Sequence, residues 1–303
     1  MDARAPALDA APPPEQAPPA KARGAGALPY LFSLPTLLFI GLLFLLPVAS
    51  LGVTSFFRAA EGGGYEFTLD LYRELFTDSY NLSMMWRTLK LSLITTAVSL
   101  VLAFPVALYM RQTTPRRRTI IALILLSPLL TSVVVRTLAW VIVLGPRGVL
   151  NDGLAAIGLS PVSLIYNEIG VVIGLTHVFF GYMVLSLMTS LLKIDENLQL
   201  AASNLGASRW VILREILIPL SLPGILAGSV LVFTMSASTY ATPVLLGGSS
   251  TKMVAPEIYD LAINYIEWNA AAALSCVLFA GIALIVFLGT LFAESGRRRV
   301  IFE

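Results

Sequence analysis

Few side chains in this 303-residue chain carry reactive chemistry, and their spacing excludes most of it. There is one cysteine, Cys276, inside an apolar run, and one histidine, His177. A zinc site needs more ligands of those types, so no metal site and no Cys/His nucleophile pair is expected. The chain has no H-E-x-x-H, no G-x-S-x-G and no G-x-x-x-x-G-K-[ST] phosphate loop; the glycines before Lys252 lack that spacing. No catalytic residue is assigned and no bound cofactor is expected. Any step driven by ATP needs its nucleotide and magnesium on another chain. What remains is recognition chemistry. Arg136, Trp140, His177, Tyr182 and Tyr240 lie in apolar segments, and Glu257, Asp260 and Glu267 lie in a more polar connector.

The surrounding composition explains why those few matter. The chain is 57% hydrophobic and only 13% charged, with a mean hydropathy of +0.82. Soluble domains carry about 25% charged residues. Several apolar runs exceed the roughly 20 residues that cross a bilayer as a helix. The expected fold class is an all-α polytopic membrane protein with six transmembrane helices. Residues 1–27, rich in Ala and Pro, cannot bury a core and read as a disordered tail. The first span covers 28–57, too long for a signal peptide. A connector at 58–84 holds a short interfacial helix at Leu69–Phe76. Further spans follow at Met85–Met110, Thr119–Leu144, Glu168–Leu192, Ser221–Leu246 and Asn269–Phe292, and 293–303 is a basic tail. The connector 147–167 is too interrupted to span, and 247–268 has room for a short amphipathic helix.

Most of the 20 Lys and Arg fall on one side of this arrangement, in the two termini and the loops 111–118 and 193–220. The positive-inside rule makes that side cytoplasmic, with both termini on it. Basic runs at 116–118 and 297–299 adjoin spans, which favours contact with anionic membrane lipid over nucleic acid.

An ionisable group within a span is costly and marks function by default. For Arg136 two readings compete: snorkelling or bonding the carbonyls of a broken helix, and facing a translocation path. His177 reads first as a core histidine. Trp140, Tyr182 and Tyr240 read as packing aromatics or as faces for a cationic amine. Glu257, Asp260 and Glu267 read as a solvated face, or as an acidic mouth that attracts amines or docks a partner protein.

The loop between the fourth and fifth spans is the most patterned stretch. Asp195 is a good N-cap, with Glu196 in the first turn. Leu198, Ala201, Ala202 and Leu205 share a face, and Gly206 suits a left-handed C-terminal cap. Ser208 can cap a second helix carrying Trp210, Leu213 and Leu217 on one side and Arg214 on another. Pro219 and Pro223 stop or kink the chain.

Leu200-Ala201-Ala202, then three residues, Gly206, nine residues, and Ile216-x-Ile218-Pro219 resembles the EAA motif of permease subunits of binding-protein-dependent ABC importers. Leu200 stands where that family has Glu, and Glu196, one turn earlier, is the candidate substitute. From about Met84 to Phe292 the chain resembles the five-helix type I permease core, with the first span added. ATPVLLGGSSTKMVAPEIYD and VVVRTLAW resemble the spermidine/putrescine branch. The resemblance implies that the 195–219 loop docks a separate ABC ATPase subunit, with Ala201 and Ala202 in close contact and Arg209 or Arg214 pairing with carboxylates. It also implies a second permease subunit, usually a different chain in that branch, an extracytoplasmic solute-binding protein, and a bacterial inner-membrane location. The best substrate expectation is a polyamine; an opine or amino-acid-like solute is the alternative. A stand-alone secondary transporter would show an internal repeat, and none is found. A scaffold without transport would leave the motif spacing unexplained.

Overall fold

A computed structural model describes residues 28–59 and 64–302. The tail expected at 1–27 lies outside the described residues, as do Gly62 and Gly63 of the first connector. Helix α1 (Leu28–Thr54) is apolar throughout and carries Pro35 and Pro47. The rest of the chain, from Ser50, is a compact helical unit.

After the last turn of α1, that unit continues with a two-stranded antiparallel hairpin, β1 (Phe57–Ala59) and β2 (Tyr65–Phe67), in which Phe57 pairs with Phe67. Strands of three residues are too short to show a period, which is why the sequence did not announce them. Helix α2 (Asp70–Thr77) follows where a short interfacial helix was expected, and buries Leu71 and Leu75. Helix α3 (Ser79–Gln112) is capped by Asp78, whose side chain accepts from the Tyr80 N–H. Next come α4 (Pro115–Leu126), a 3-10 turn at Ser127–Leu130, α5 (Val133–Leu144) and α6 (Val149–Ala156). Helix α7 (Glu168–Leu191) precedes α8 (Glu196–Asn204). A helical run from Arg209 to Leu220 comprises α9 (Arg209–Val211), a π segment (Ile212–Leu217) and α10 (Ile218–Leu220). Then come α11 (Leu222–Ala237), a π turn (Pro243–Gly247), α12 (Val254–Tyr259) and α13 (Trp268–Phe302).

Helices α3, α7 and α11 pack on one another along their lengths and hold the main core, built around Leu91, Ala107, Met110, Leu175, Met183, Leu187 and Val232. Small residues allow this approach, as expected for helices in lipid. A Cβ on Gly224 would lie 2.6 Å from the Ser190 hydroxyl and 2.8 Å from the Ser186 carbonyl. A second cluster joins Met84 and Leu75 to Val254, Ala273 and Leu274 of α12 and α13.

Three expected boundaries move. The span expected at Thr119–Leu144 is broken: Pro128 starts a 3-10 turn, and the chain leaves helical geometry before α5. The stretch there that is long and apolar enough to cross a membrane is Val133–Ala156, which takes in part of the expected connector. The span expected at Ser221–Leu246 keeps its helix only to Ala237. At about 1.5 Å per residue α11 is short for a bilayer, and it qualifies only together with Arg209–Leu220, to which it is bent by 65°. At the C-terminus α13 continues through 293–302, where a basic tail was expected, instead of stopping at Phe292. Five described stretches qualify as spans, or six with the bent pair.

Candidate functional site

The 195–220 hairpin is built by side chains that fix its two corners. Asp195 caps α8 by accepting from the Asn197 N–H at 2.9 Å. At the other end Gly206 adopts φ +85°, a conformation that costs a residue with a Cβ. Around it the Ala207 N–H donates to the Ala202 carbonyl and the Gly206 N–H to the Ser203 carbonyl, each at 3.0 Å. These are the two bonds of a Schellman cap, and they satisfy carbonyls that the helix end would leave open. Ser208 then caps α9 by accepting from the Val211 N–H at 3.3 Å. The π segment follows because Pro219 has no N–H to continue the ordinary ladder, and the Ile218 N–H reaches back five residues to the Leu213 carbonyl.

One face of the hairpin is held and the other is bare. Ala202, Ala207, Ile212, Leu213, Ile216 and Leu217 pack on the α3–α7 core. Leu198, Leu200, Leu205 and Trp210 are exposed, Leu205 at 89%. Trp210 was expected on the same side as Leu213 and Leu217; it is exposed, whereas Leu217 is buried. Glu196, Ala201, Gly206, Arg209 and Arg214 are exposed, Ala202, Ile216 and Pro219 half-buried. Arg214 pairs with Glu215 at 3.7 Å, while Glu196 and Arg209 make no ion pair among the described residues.

A residue that the sequence offered only as a positive charge fastens this hairpin. Arg111, in the last turn of α3, is 7% exposed. Its Nη2 donates to the Ile194 carbonyl at 2.9 Å. With the Gln199 amide turned so that its oxygen faces α3, Arg111 also donates to Gln199 on α8. Arg118 closes the same corner by donating to the Met110 and Arg111 carbonyls at 3.1 and 3.0 Å, a cation on the negative end of α3. Hydrogen bonds from charged groups contribute about 1.5–3 kcal/mol each. The basic loop 111–118 gave no local signal for this, because both partners of Arg111 lie more than 80 residues further along the chain.

Of the residues expected along a path, the structure joins some and separates others. Arg136 is buried and donates to the Pro128 carbonyl in the break before α5. This is the carbonyl-bonding reading of that arginine. One turn later Trp140 Nε1 donates to His177 Nδ1 at 3.2 Å, with the rings edge-to-face at 5.3 Å. His177 is exposed rather than a core histidine. Tyr182 is half-buried against the core and joins neither. Tyr240 lies against Tyr259 with ring centroids 4.4 Å apart and the planes tilted by 37°, at the end of the bundle far from the hairpin.

At that far end two ion triads stand next to each other. Glu168, the first residue of α7, lies 2.6 Å from Lys90 and 3.6 Å from Arg87 of α3. Lys252 pairs with Glu257 at 3.1 Å and Asp260 at 3.2 Å. Burial alone pushes the Lys252 ammonium down. The hydrogen bonds to Glu257 and Asp260, with the charge of Glu257, together outweigh it and hold the group above the ordinary lysine range. Glu257 and Asp260 therefore do not form the open acidic mouth that their sequence suggested, and Glu267 is exposed outside the group. Among the described residues no group of His, Cys, Asp and Glu is arranged to hold a metal.

With this geometry the chain matches the family described as binding-protein-dependent transport system inner membrane component over residues 93–300. It is 30% identical over 225 residues to the spermidine/putrescine transport system permease protein PotB of Escherichia coli (strain K12), covering 73% of this chain and 82% of that one. It is 29% identical over 226 residues to PotB of Haemophilus influenzae, covering 74% and 79%. Among solved structures, a bacterial alginate ABC transporter in complex with an alginate pentasaccharide-bound periplasmic protein superposes with a TM-score of 0.71. That match has 21% identity and covers 90% of this chain and 94% of the other, a likeness of fold.

Proposed function

The chain belongs to the family of binding-protein-dependent transport system inner membrane components, and from that premise we propose that it carries a small polyamine across the membrane, driven through its 195–220 hairpin by a separate ATPase. As a member it is a multi-pass inner-membrane permease subunit of an ABC importer, with the type I fold, and not an enzyme. The observation that carries the substrate is the likeness to two spermidine/putrescine permeases across about three quarters of the chain.

The hairpin supports the coupling role by its construction. It is capped at both corners, clamped to α3 by Arg111, and bare on the face that holds Leu198, Leu205 and Trp210. An ATPase subunit seated there moves α8 as a rigid piece, and the clamp passes the motion to α3 while the bent run 209–220 passes it to α11. The Lys and Arg distribution supports a cytoplasmic hairpin and cytoplasmic termini. The 58–84, 145–167 and 247–268 segments then meet a solute-binding protein on the other side. A second permease subunit completes the path and faces the Trp140–His177 pair. ATP and magnesium belong to the ATPase.

The test is uptake of labelled putrescine into proteoliposomes that hold this chain, its ATPase and its second permease, with the binding protein supplied. Uptake that requires ATP and all components is expected. Uptake by this chain alone overturns the coupling role; ATP-driven uptake of an acidic solute and no diamine overturns the substrate.

A further inference from the structure

Helix α4 carries two arginines that nothing in the chain holds. Arg116 and Arg117, in its first turn, are exposed and make no ion pair or side-chain hydrogen bond among the described residues. The sequence supplies no local counter-charge, since no Asp or Glu stands between Asp78 and Asp152. Asp195 and Glu196, at the start of α8, pair with neither arginine.

An apolar stripe starts where the arginines sit. Ile120 and Leu123 lie four and seven residues after Arg116, and Ile124 lies seven after Arg117, so they share its face of the helix. These three are 49%, 64% and 63% exposed. The opposite side, with Ile121, Ala122 and Leu125, packs on the main core. With 12 residues α4 is about 18 Å long, well short of the roughly 30 Å of bilayer hydrocarbon. It therefore enters the membrane from the basic loop and stops partway, at the break of Pro128. A bare apolar face alone would suit another protein helix, and unpaired arginines alone would suit water. The two in line on one face match one chemistry: an anionic phosphodiester that arginine grips through paired N–H···O bonds, followed by an alkyl chain.

The third arginine of the run ties this face to the rest of the molecule. Arg118 donates to the Met110 and Arg111 carbonyls at the end of α3, and Arg111 in turn grips the Ile194 carbonyl before α8.

We propose that α4 seats an anionic phospholipid, with its phosphate on Arg116 and Arg117 and an acyl chain along Ile120, Leu123 and Ile124. A seated lipid fixes the first turn of α4, and through Arg118 and Arg111 it steadies the grip on the hairpin. The seat rests on the chain's place in the membrane; the steadying rests on the coupling reading above.

The first experiment is native mass spectrometry of the intact transporter, titrated with phosphatidylglycerol and, as the zwitterionic control, phosphatidylcholine. Preferential retention of phosphatidylglycerol is expected. Arg116→Gln/Arg117→Gln should weaken it about tenfold or more, the scale of two basic residues at an anionic surface. Arg116→Lys/Arg117→Lys should recover part of it, and Leu123→Ser should weaken both lipids several-fold. Arg298→Gln/Arg299→Gln, which removes the same charge from the other basic run, should leave it within about twofold. Equal retention of the two lipids by the wild type, undiminished retention in the Gln pair at 116 and 117, or an equal loss in the pair at 298 and 299 overturns the seat. The second experiment is binding-protein-stimulated ATP hydrolysis in nanodiscs with and without phosphatidylglycerol. Stimulation should fall threefold or more without that lipid, and as far in the Gln pair at 116 and 117 with it. Stimulation unchanged by either overturns the steadying and leaves the seat. Absence of stimulation in the wild type in every lipid overturns the coupling reading and the steadying with it, while the mass measurement still decides the seat.

Discussion

Gly206 offers the sharpest test of the hairpin, because its own chain leaves it alone. A Cβ built there meets nothing within 4 Å, so no clash inside this chain can confuse the result. The cost of a substitution is the backbone conformation at φ +85°. For an L-residue that region costs about 1–2 kcal/mol, more with a branched Cβ, whereas Asn visits it readily. If the Schellman corner must stay intact for the ATPase to seat, that cost appears directly in docking. One to two kcal/mol corresponds to about a 5- to 30-fold loss of affinity. Gly206→Val is therefore expected to weaken ATPase-subunit binding by tenfold or more, and Gly206→Asn to stay within about threefold of wild type. Surface-plasmon titration of the ATPase on nanodisc-held permease reads both, and stimulated ATP hydrolysis reads the consequence. If Asn falls as far as Val, backbone conformation is not what matters at 206 and the reasoning fails. If Val binds normally, the hairpin is not the docking element.

The other expectations follow from neighbouring contacts. Arg111→Ala removes the bonds to Ile194 and Gln199 and should uncouple binding-protein-stimulated hydrolysis from uptake by tenfold or more while the ATPase still co-purifies; unchanged coupling refutes the clamp. Glu196→Ala should weaken ATPase association more than Asp195→Ala if Glu196 stands in for the acid missing at Leu200, and pull-down titration of the two variants decides it. Gly224→Val forces a side chain against the Ser186 carbonyl and Ser190; overpacking costs about 1–3 kcal/mol, so the thermal midpoint should fall by several degrees in a melting assay. Ile266, exposed at φ +60°, carries backbone strain without packing, and Ile266→Gly should leave that midpoint unchanged or raise it.

Much of the fold was readable because lipid imposes long apolar runs, and hydropathy finds those without knowing their partners. The hairpin was readable for a different reason. Asp195, Gly206, Ser208 and Pro219 each act on the backbone within a few residues, so their types state the corners locally. What escaped was tertiary. Pro128 is a breaker visible in the sequence, but the run stays apolar enough on both sides to average as one span, so the break before α5 was not read from hydropathy. Arg111 counted as one more positive charge until α8 came against it. Lys90 and Glu168 are 78 positions apart in the chain, and only the packing of α3 on α7 brings their charges together. Lys252 turned an acidic cluster into a triad, which linear spacing could not weigh against a solvated face.

The two ends of the bundle are held by different kinds of bond, and this makes them separable by ionic strength. At the hairpin end Arg111 is buried and grips a carbonyl and an amide, neutral partners that dissolved ions scarcely reach. At the far end the ties are ion pairs whose side chains are 12–37% exposed. Between about 0.01 M and 1 M salt the screening distance shrinks from about 30 Å to about 3 Å. Concentrated salt thus loosens the mouth where α3, α7 and α12 meet and leaves the lever at the opposite end gripped. A single solution variable relaxes one side of the membrane protein while the other keeps its hold.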